Sequence, residues 1–248
     1  MLKQRLAARE PLLGTFLKTP HPHVVEVLAT AGLDLLCLDA EHAPLDRTTL
    51  DLCVMAARAG NLATLVRPAS GSPESVLAAL DAGATGIIAP HIRSAADARA
   101  LVASAHYGPG GRGYAASTRA AGYGLATMEE HLARSAAETV VVAQIEDADA
   151  LESVEEIAAV EGLDALFIGR ADLTVSLGCS SQDDPRIIAA VERIVDICVA
   201  RGLPVGMFLG RPGDTSAWRD RGASLFLLGS DHSFMRAGAA QMRAITGL

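Results

Sequence analysis

Along the chain, short apolar runs rich in β-branched residues alternate with longer stretches whose apolar positions recur at helical spacing. The short runs predict strands over Leu13–Leu17, Leu33–Leu38, Thr64–Arg67, Gly86–Ala89, Val140–Ile145, Ala165–Ile168, Pro204–Leu209 and Ser224–Leu228. Most are nearly continuous in apolar character, as strands covered on both faces must be. The longer stretches predict helices over His23–Ala31, Thr48–Ala59, Pro73–Ala82, Ala95–Ser104, Ala148–Ala158, Pro185–Ala200, Thr215–Arg221 and Phe234–Ile245. Pro185–Ala200 is the clearest: Ile187, Val191, Ile194 and Cys198 form one stripe behind a proline suited to a first helical turn. Several helices run into a glycine, at Gly32, Gly60, Gly83, Gly202 and Gly222, each expected to supply a left-handed cap before the next strand.

Strands alternating with helices indicate a parallel sheet. Eight such units in 248 residues favour closure, because a (β/α)8 TIM barrel takes roughly 250 residues. The expected fold is therefore α/β, one (β/α)8-barrel domain over residues 1–248, with an open doubly wound sheet as the second arrangement the pattern admits. One interval breaks the rhythm: HYGPGGRGYAASTRAAGYG, residues 106–124, is too long for a simple connection. Long irregular loops on barrels tend to be lids or subunit contacts, a tolerated insertion being the plainer reading.

Composition narrows the function classes. Half the residues are hydrophobic, the net charge is -8 and no basic run occurs, which argues against a nucleic-acid surface. An acidic protein that handles acidic substrates must concentrate positive charge locally. Cys37, Cys53, Cys179 and Cys198 form no CxxC pair; Cys37 and Cys198 read as small core residues. The charged, proline-interrupted N-terminus does not read as a signal peptide, and no run approaches the roughly 20 apolar residues needed to span a bilayer. A cytoplasmic protein without a membrane partner is the expectation.

In a βα barrel the chemistry sits at the C-terminal ends of the strands. There the sequence places Asp39-Ala40-Glu41-His42, Arg67, Pro90-His91, Gln144-Ile145-Glu146 and Gly169-Arg170-Ala171-Asp172. Glu146 and Asp172 lie 26 residues apart, one βα unit, so they can stand on adjacent strand ends. Two converging carboxylates without a third histidine or cysteine suit a hard divalent cation such as Mg²⁺ or Mn²⁺ and leave positions for a chelating 2-oxo acid; a solvated acidic rim is the bland alternative. Arg67 could hold a carboxylate or neutralise enolate charge, or else pair with a structural acid. His42, between acids that can orient it, is the candidate for proton transfer, and His91 stays undecided. Only Lys3 and Lys18 are available for Schiff-base chemistry; Lys3 lies in the leader and Lys18 at a boundary where an exposed side chain is expected, which makes an imine mechanism improbable. Gly229-Ser230 before the last helix is a weak phosphate signal.

The segments LDAEHAP (Leu38–Pro44), VRP (Val66–Pro68), LDAGATGIIAP (Leu80–Pro90), QIED (Gln144–Asp147) and FIGRADL (Phe167–Leu173) together resemble the HpcH/HpaI aldolase family, the metal-dependent (class II) pyruvate aldolases acting on 4-hydroxy-2-oxo acids. The resemblance implies a TIM barrel assembled into homo-oligomers, commonly hexamers built from dimers that exchange the last helix. It implies a divalent metal, Mg²⁺, Mn²⁺ or Co²⁺, on Glu146 and Asp172, with Arg67 at the ketone or enolate oxygen. His42 resembles the acid/base histidine and Asp81 its orienting aspartate, while Gln144 and the backbone of Gly169, Arg170 and Ala171 resemble the positions that hold the substrate carboxylate. The implied reaction is reversible: the 4-hydroxyl loses its proton, an aldehyde departs and a metal-bound enolate is protonated to pyruvate. Arg170 departs from the proline common in the family, and its side chain either points away or recognises a second substrate carboxylate. Two other readings stand beside this one: a citrate-lyase-like or malyl-CoA-like lyase, and a non-catalytic barrel that binds a 2-oxo acid.

Overall fold

The strands β1 (Leu12–Leu17), β2 (Leu35–Asp39), β3 (Ala63–Arg67), β4 (Gly86–Ala89), β5 (Val140–Ile145), β6 (Ala165–Ile168), β7 (Val205–Leu209) and β8 (Leu225–Ser230) are all parallel and close into a barrel in sequence order. The computed structural model describes residues 1–247. Three predicted strands match to the residue and the other five differ by no more than two positions at either end. The helices are α1 (Leu2–Ala7), α2 (Pro22–Ala29), α3 (Arg47–Ala59), α4 (Pro73–Asp81), α5 (Ala95–Ala105), α6 (Met128–Glu138), α7 (Ala150–Ala158), α8 (Arg170–Ser176), α9 (Pro185–Arg201), α10 (Thr215–Asp220) and α11 (Asp231–Thr246). The architecture is the expected (β/α)8 TIM barrel.

The continuous apolar strands conceal a period of two. Leu35 and Cys37, Leu65, Val140 and Val142, Phe167, Leu225 and Leu227 fill the barrel interior. Their neighbours Leu36 and Leu38, Val66, Val141 and Ala143, Leu166 and Ile168 pack outward against the helices. Alternate side chains on a strand point to opposite faces, so both faces must be apolar here. Phe167 is among the largest fully buried side chains, and its truncation to alanine costs about 3–5 kcal/mol.

The helices follow local chemistry. In α9, Pro185 occupies the first turn behind the capping carboxylate of Asp184, and Ile187, Val191, Ile194, Val195 and Cys198 form the buried stripe. The helix ends at Gly202 with φ of 71°. Gly60 departs from the expected left-handed caps: its φ is −85°, and the following Asn61 takes the positive value of 52° instead. Asparagine tolerates that region, and Gly60 is needed for another reason, since a β-carbon there would lie 2.7 Å from the methyl of Ala29.

Three helices were not anticipated. The charged leader folds as α1, whose Leu2 and Leu6 join the interior cluster from the N-terminal mouth of the barrel, while Lys3 Nζ donates to the Thr139 carbonyl at 2.7 Å. α6 carries a capping box between Thr127 and Glu130. α8 begins at Arg170, inside the motif read as a strand-end loop. The 106–124 interval is no lid over its own barrel mouth. Arg119 pairs with Asp51 of α3, Arg112 with Asp81 at the end of α4, and the amide of Ala120 donates to the Asp81 carbonyl, which fastens the segment along the helix layer. No described helix is long and apolar enough to cross a membrane.

Candidate active site

Continuing the alternation to the C-terminal strand ends puts polar side chains where the interior meets the mouth. Asp39 and Arg67 are register partners across β2 and β3. The Arg67 guanidinium donates from Nε to Asp39 Oδ1 at 3.1 Å and from Nη2 to Oδ2 at 2.9 Å. Asp39 is wholly buried. It also accepts the His42 amide at 3.1 Å and stands 3.2 Å from Lys18 Nζ. Burial pushes its carboxyl up, yet the Arg67 guanidinium, the His42 amide and the Lys18 ammonium outweigh that and hold it below the usual carboxylate range.

Arg67 thus has a structural acid as its partner, and it also lines a cavity of about 380 Å³ at the barrel mouth. The same cavity is lined by His42, Gln144, Gly169, Arg170 and Ala171. Lys18 lines it as well, contrary to the expectation of an exposed boundary lysine. The amides of Lys18 and Thr19 are held by the buried carboxylate of Asp231 at 2.8 and 3.0 Å, which turns the chain after β1 over the mouth. The His42 ring is half exposed, with Nε2 3.8 Å from Glu41 Oε2. It is Glu41 that sits beside the ring, while Asp39 fixes only the backbone of the turn.

Glu146 follows β5 with its carboxylate buried. Oε1 accepts the His91 amide at 2.9 Å and Oε2 accepts the Gln144 side-chain amide. Gly169 is what makes room: a β-carbon there would lie 2.6 Å from Glu146 Oε2 and 2.8 Å from its Cβ. Burial lifts the Glu146 carboxyl above its ordinary value, against the hydrogen bonds from Gln144 and the His91 amide and the His91 charge. His91, at φ of 55°, lies with Nδ1 3.0 Å from Asp147 Oδ2 and 3.5 Å from Glu146 Oε1, and with Nε2 3.5 Å from Glu41 Oε1. Burial pulls the imidazole down, but the Asp147 hydrogen bond and the charges of Glu146, Asp147 and Glu41 raise it above its usual value.

Ligand atoms of Glu41, His91 and Glu146 lie within 4.8 Å of one another. Glu41 Oε2 is buried without a hydrogen bond, since Arg67 Nε, 3.2 Å away, directs its proton to Asp39; Gln144 Oε1 is likewise unpartnered. A buried carboxylate oxygen and a buried amide oxygen with unused lone pairs fit a hard divalent cation. Asp172 is outside this cluster. It stands half-buried in the first turn of α8, with no ion pair or side-chain hydrogen bond among the described residues.

Asp81 does not meet His42 within one chain. It ends α4, at the N-terminal side of the barrel, where Arg112 Nη2 donates to it at 2.5 Å. A helix between parallel strands runs back from the mouth, so its last residue is carried to the opposite side. Arg170 is buried and is among the residues lining the mouth cavity, with its guanidinium on the Gln182 carbonyl and over the Trp218 ring; burial pulls that guanidinium below the ordinary value, and Asp214 and Asp183 oppose that from a distance.

Asp39, Glu41 and His91, strand-end groups without an assigned role in the sequence pattern, surround Arg67 and Glu146. Strand parity was the available signal for Asp39, two positions beyond the interior Cys37. The left-handed turn that aims His91 back at Glu146 has no sequence signature.

A model of the HpcH/HpaI aldolase/citrate lyase family matches residues 12–237. A 5-keto-4-deoxy-D-glucarate aldolase from Klebsiella pneumoniae subsp. pneumoniae is 33% identical over 242 residues, covering 97% of this chain and 94% of the relative. A pyruvate aldolase from Rhizobium etli is 33% identical over 246 residues, covering 98% and 95%. A solved HpcH/HpaI aldolase/citrate lyase family protein from Burkholderia cenocepacia J2315 superposes with a TM-score of 0.94 at 34% identity, over 100% of this chain and 99% of its own.

Proposed function

The chain belongs to the HpcH/HpaI aldolase/citrate lyase family, and from that premise we propose that it is a divalent-metal-dependent aldolase, reversibly cleaving a 4-hydroxy-2-oxo acid to pyruvate and an aldehyde. One observation carries the reading: the buried Glu146 carboxylate, beside unsatisfied oxygens of Glu41 and Gln144, lies against Gly169, which lines a cavity together with Arg67, His42 and Gln144. The aldolase relatives support it.

Glu146 would hold the cation together with Asp172, which follows the adjacent strand β6 and is tied to no basic side chain among the described residues. Glu41 and His91 stand on the other flank of Glu146 as the competing donor pair. A bound divalent cation would act as a Lewis acid on the ketone of a 2-oxo acid. The remaining roles fall to the chain. Arg67, locked by Asp39, offers a fixed guanidinium to the oxygen on which charge develops, with no reorganisation during the reaction. His42 exchanges the proton of the 4-hydroxyl at its imidazole. Gln144, Gly169 and Ala171 shape the wall for the pyruvate carboxylate. Phe16, Phe167 and Phe208 keep the floor apolar and limit water.

The test is pyruvate release from a 4-hydroxy-2-oxo acid, followed with lactate dehydrogenase and NADH. Chelation should abolish it, and Mn²⁺, Mg²⁺ or Co²⁺ should restore it. Release that survives exhaustive chelation overturns the metal-dependent reading. Such a result would turn attention to Lys18, whose place in the cavity favours an imine mechanism as the second reading. We further propose a homo-oligomer in which α11 packs on a second copy. Beyond Asp231 its described residues are exposed, including Phe234, Met235, Met242 and Ile245.

A further inference from the structure

Three arginines are buried among the described residues: Arg67, Arg112 and Arg170. Two are matched to carboxylates, Arg67 to Asp39 and Glu41, and Arg112 to Asp81. Arg170 has no carboxylate within ion-pair distance among the described residues; the nearby Asp183 and Asp214 are engaged by Arg211 at 2.7 and 3.0 Å. Its Nη2 instead donates to the Gln182 carbonyl at 3.1 Å, and its guanidinium carbon lies 5.6 Å from the centre of the Trp218 ring. Neither partner lines the mouth cavity. A buried guanidinium held only by a carbonyl and an indole face adds little stability, because the cost of burying the charge offsets those contacts. Its use lies in what it holds still.

That is the first turn of α8. Arg170 opens the helix directly after Gly169, which packs so closely on Glu146 that a β-carbon would meet Oε2 at 2.6 Å. Two residues on stands Asp172, with no ion pair or side-chain hydrogen bond among the described residues to fix its carboxylate. Its direction follows from the rotation of α8. The helix has seven residues; the Thr174 hydroxyl bonds back to the Arg170 carbonyl within it, and Ser176 Oγ accepts the Ala148 amide at the far end. Only Arg170 ties its beginning outward by a side chain, to the loop before α9 and to α10. With about 3.6 residues per turn, positions 170 and 172 project from nearly opposite sides, so an anchor on one side aims the carboxylate on the other. Side-chain ends lie about 5–6 Å from a helix axis, and a rotation of about 20° would carry that carboxylate about 2 Å, the length of a metal–oxygen bond.

We propose that Arg170 is a positioning residue for Asp172: by pinning the first turn of α8 to Gln182 and Trp218, it sets how the carboxylate stands beside Glu146 and thereby the affinity for a divalent cation. The inference rests on the reading of Glu146 and Asp172 as the metal pair.

The experiment measures Mn²⁺ affinity by calorimetry in wild type, Arg170→Met, Trp218→Leu and Trp218→Phe, with the thermal midpoint of each. Arg170→Met and Trp218→Leu should each bind Mn²⁺ roughly 10- to 100-fold more weakly, the loss that follows removal of a group orienting a ligand. Trp218→Phe keeps a ring face for the guanidinium and should restore affinity close to wild type. The Arg170→Met midpoint should not fall, since the substitution removes a buried charge. Unchanged affinity in Arg170→Met overturns the proposal, as does a loss of affinity accompanied by a lowered midpoint, which is what general loosening would produce. If wild type binds no Mn²⁺, or Asp172→Asn binds it as tightly as wild type, the metal assignment fails, and amide exchange across residues 170–176, read by mass spectrometry, decides the positioning of α8 alone. Faster exchange confined to that segment in Arg170→Met supports it, and equal exchange overturns it.

Discussion

Arg67 and Asp39 face each other as register partners on adjacent parallel strands and join through two hydrogen bonds of 3.1 and 2.9 Å. The pair is buried at the barrel mouth, and the same carboxylate carries the His42 turn and the Lys18 ammonium. Removing Asp39 takes both hydrogen bonds from a buried guanidinium and leaves it only Glu41, 3.2 Å away; Asp39→Ala should lower stability by about 3 kcal/mol, seen as a reduced urea midpoint. Arg67→Lys keeps the charge but loses the fork, and kcat/KM should fall roughly 100-fold. Unaltered midpoints and rates would show that the pair is incidental.

The two donor sets around Glu146 make different predictions for metal affinity. Glu146→Gln should abolish Mn²⁺ binding measured by calorimetry. If Asp172 is the second ligand, Asp172→Asn should do the same, while His91→Asn weakens binding by roughly 10- to 100-fold, as the loss of a supporting group does. Near-native affinity in Asp172→Asn, with binding lost in His91→Asn, would transfer the site to Glu41, His91 and Glu146.

Lys18 sits in the mouth cavity but in an ion pair with Asp39. Treatment with pyruvate and borohydride should therefore leave the protein mass unchanged. A reduced pyruvyl adduct at Lys18 would establish the imine route.

Asp184 caps α9 and is held at about 2, below its ordinary 3.8, by the side chain and amide of Arg186. A carboxyl depressed in the folded state contributes stability that is present above the unfolded pKa and disappears as pH falls through the folded one. Asp184→Asn retains a capping oxygen. The stability gap between wild type and variant should be full at neutral pH and shrink between about pH 4 and about pH 2. A gap independent of pH would remove the charge from the account.

The exposed apolar residues of α11 give a test of assembly. Replacing Phe234 and Met242 by glutamate should reduce the mass seen by light scattering without lowering helicity. A wild-type protein that runs as a monomer at micromolar concentration would refute the exchange.

The barrel was legible because its strands and helices differ in period and length, so the order βα repeated eight times survived errors of one to three residues at the ends. What escaped were short or tertiary-dependent features. α1 has six residues and is held in place by Leu2 and Leu6 in the barrel interior, which the charges around them obscured. α6 carries a readable signal, Thr127 followed three residues later by Glu130, but the irregular segment before it masks the helical period. For the site, strand ends located Asp39, Glu41, Arg67, His91, Gln144 and Glu146, but not which of them converge. His91 reaches Glu146 through a left-handed turn, and Glu41 meets His91 from a strand two places around the barrel. Asp81 shows the converse: its motif suggests a place beside His42, yet within one chain helix direction carries it to the far end of the barrel.

Gly169 has a consequence for how such a protein can diversify. Any side chain there would displace the Glu146 carboxylate, so that position is closed to change. The next side chain, Arg170, donates to the Gln182 carbonyl and stands over the Trp218 ring. Adjacent peptide units thus set a position that admits only hydrogen beside one whose long side chain reaches a neighbouring loop and helix.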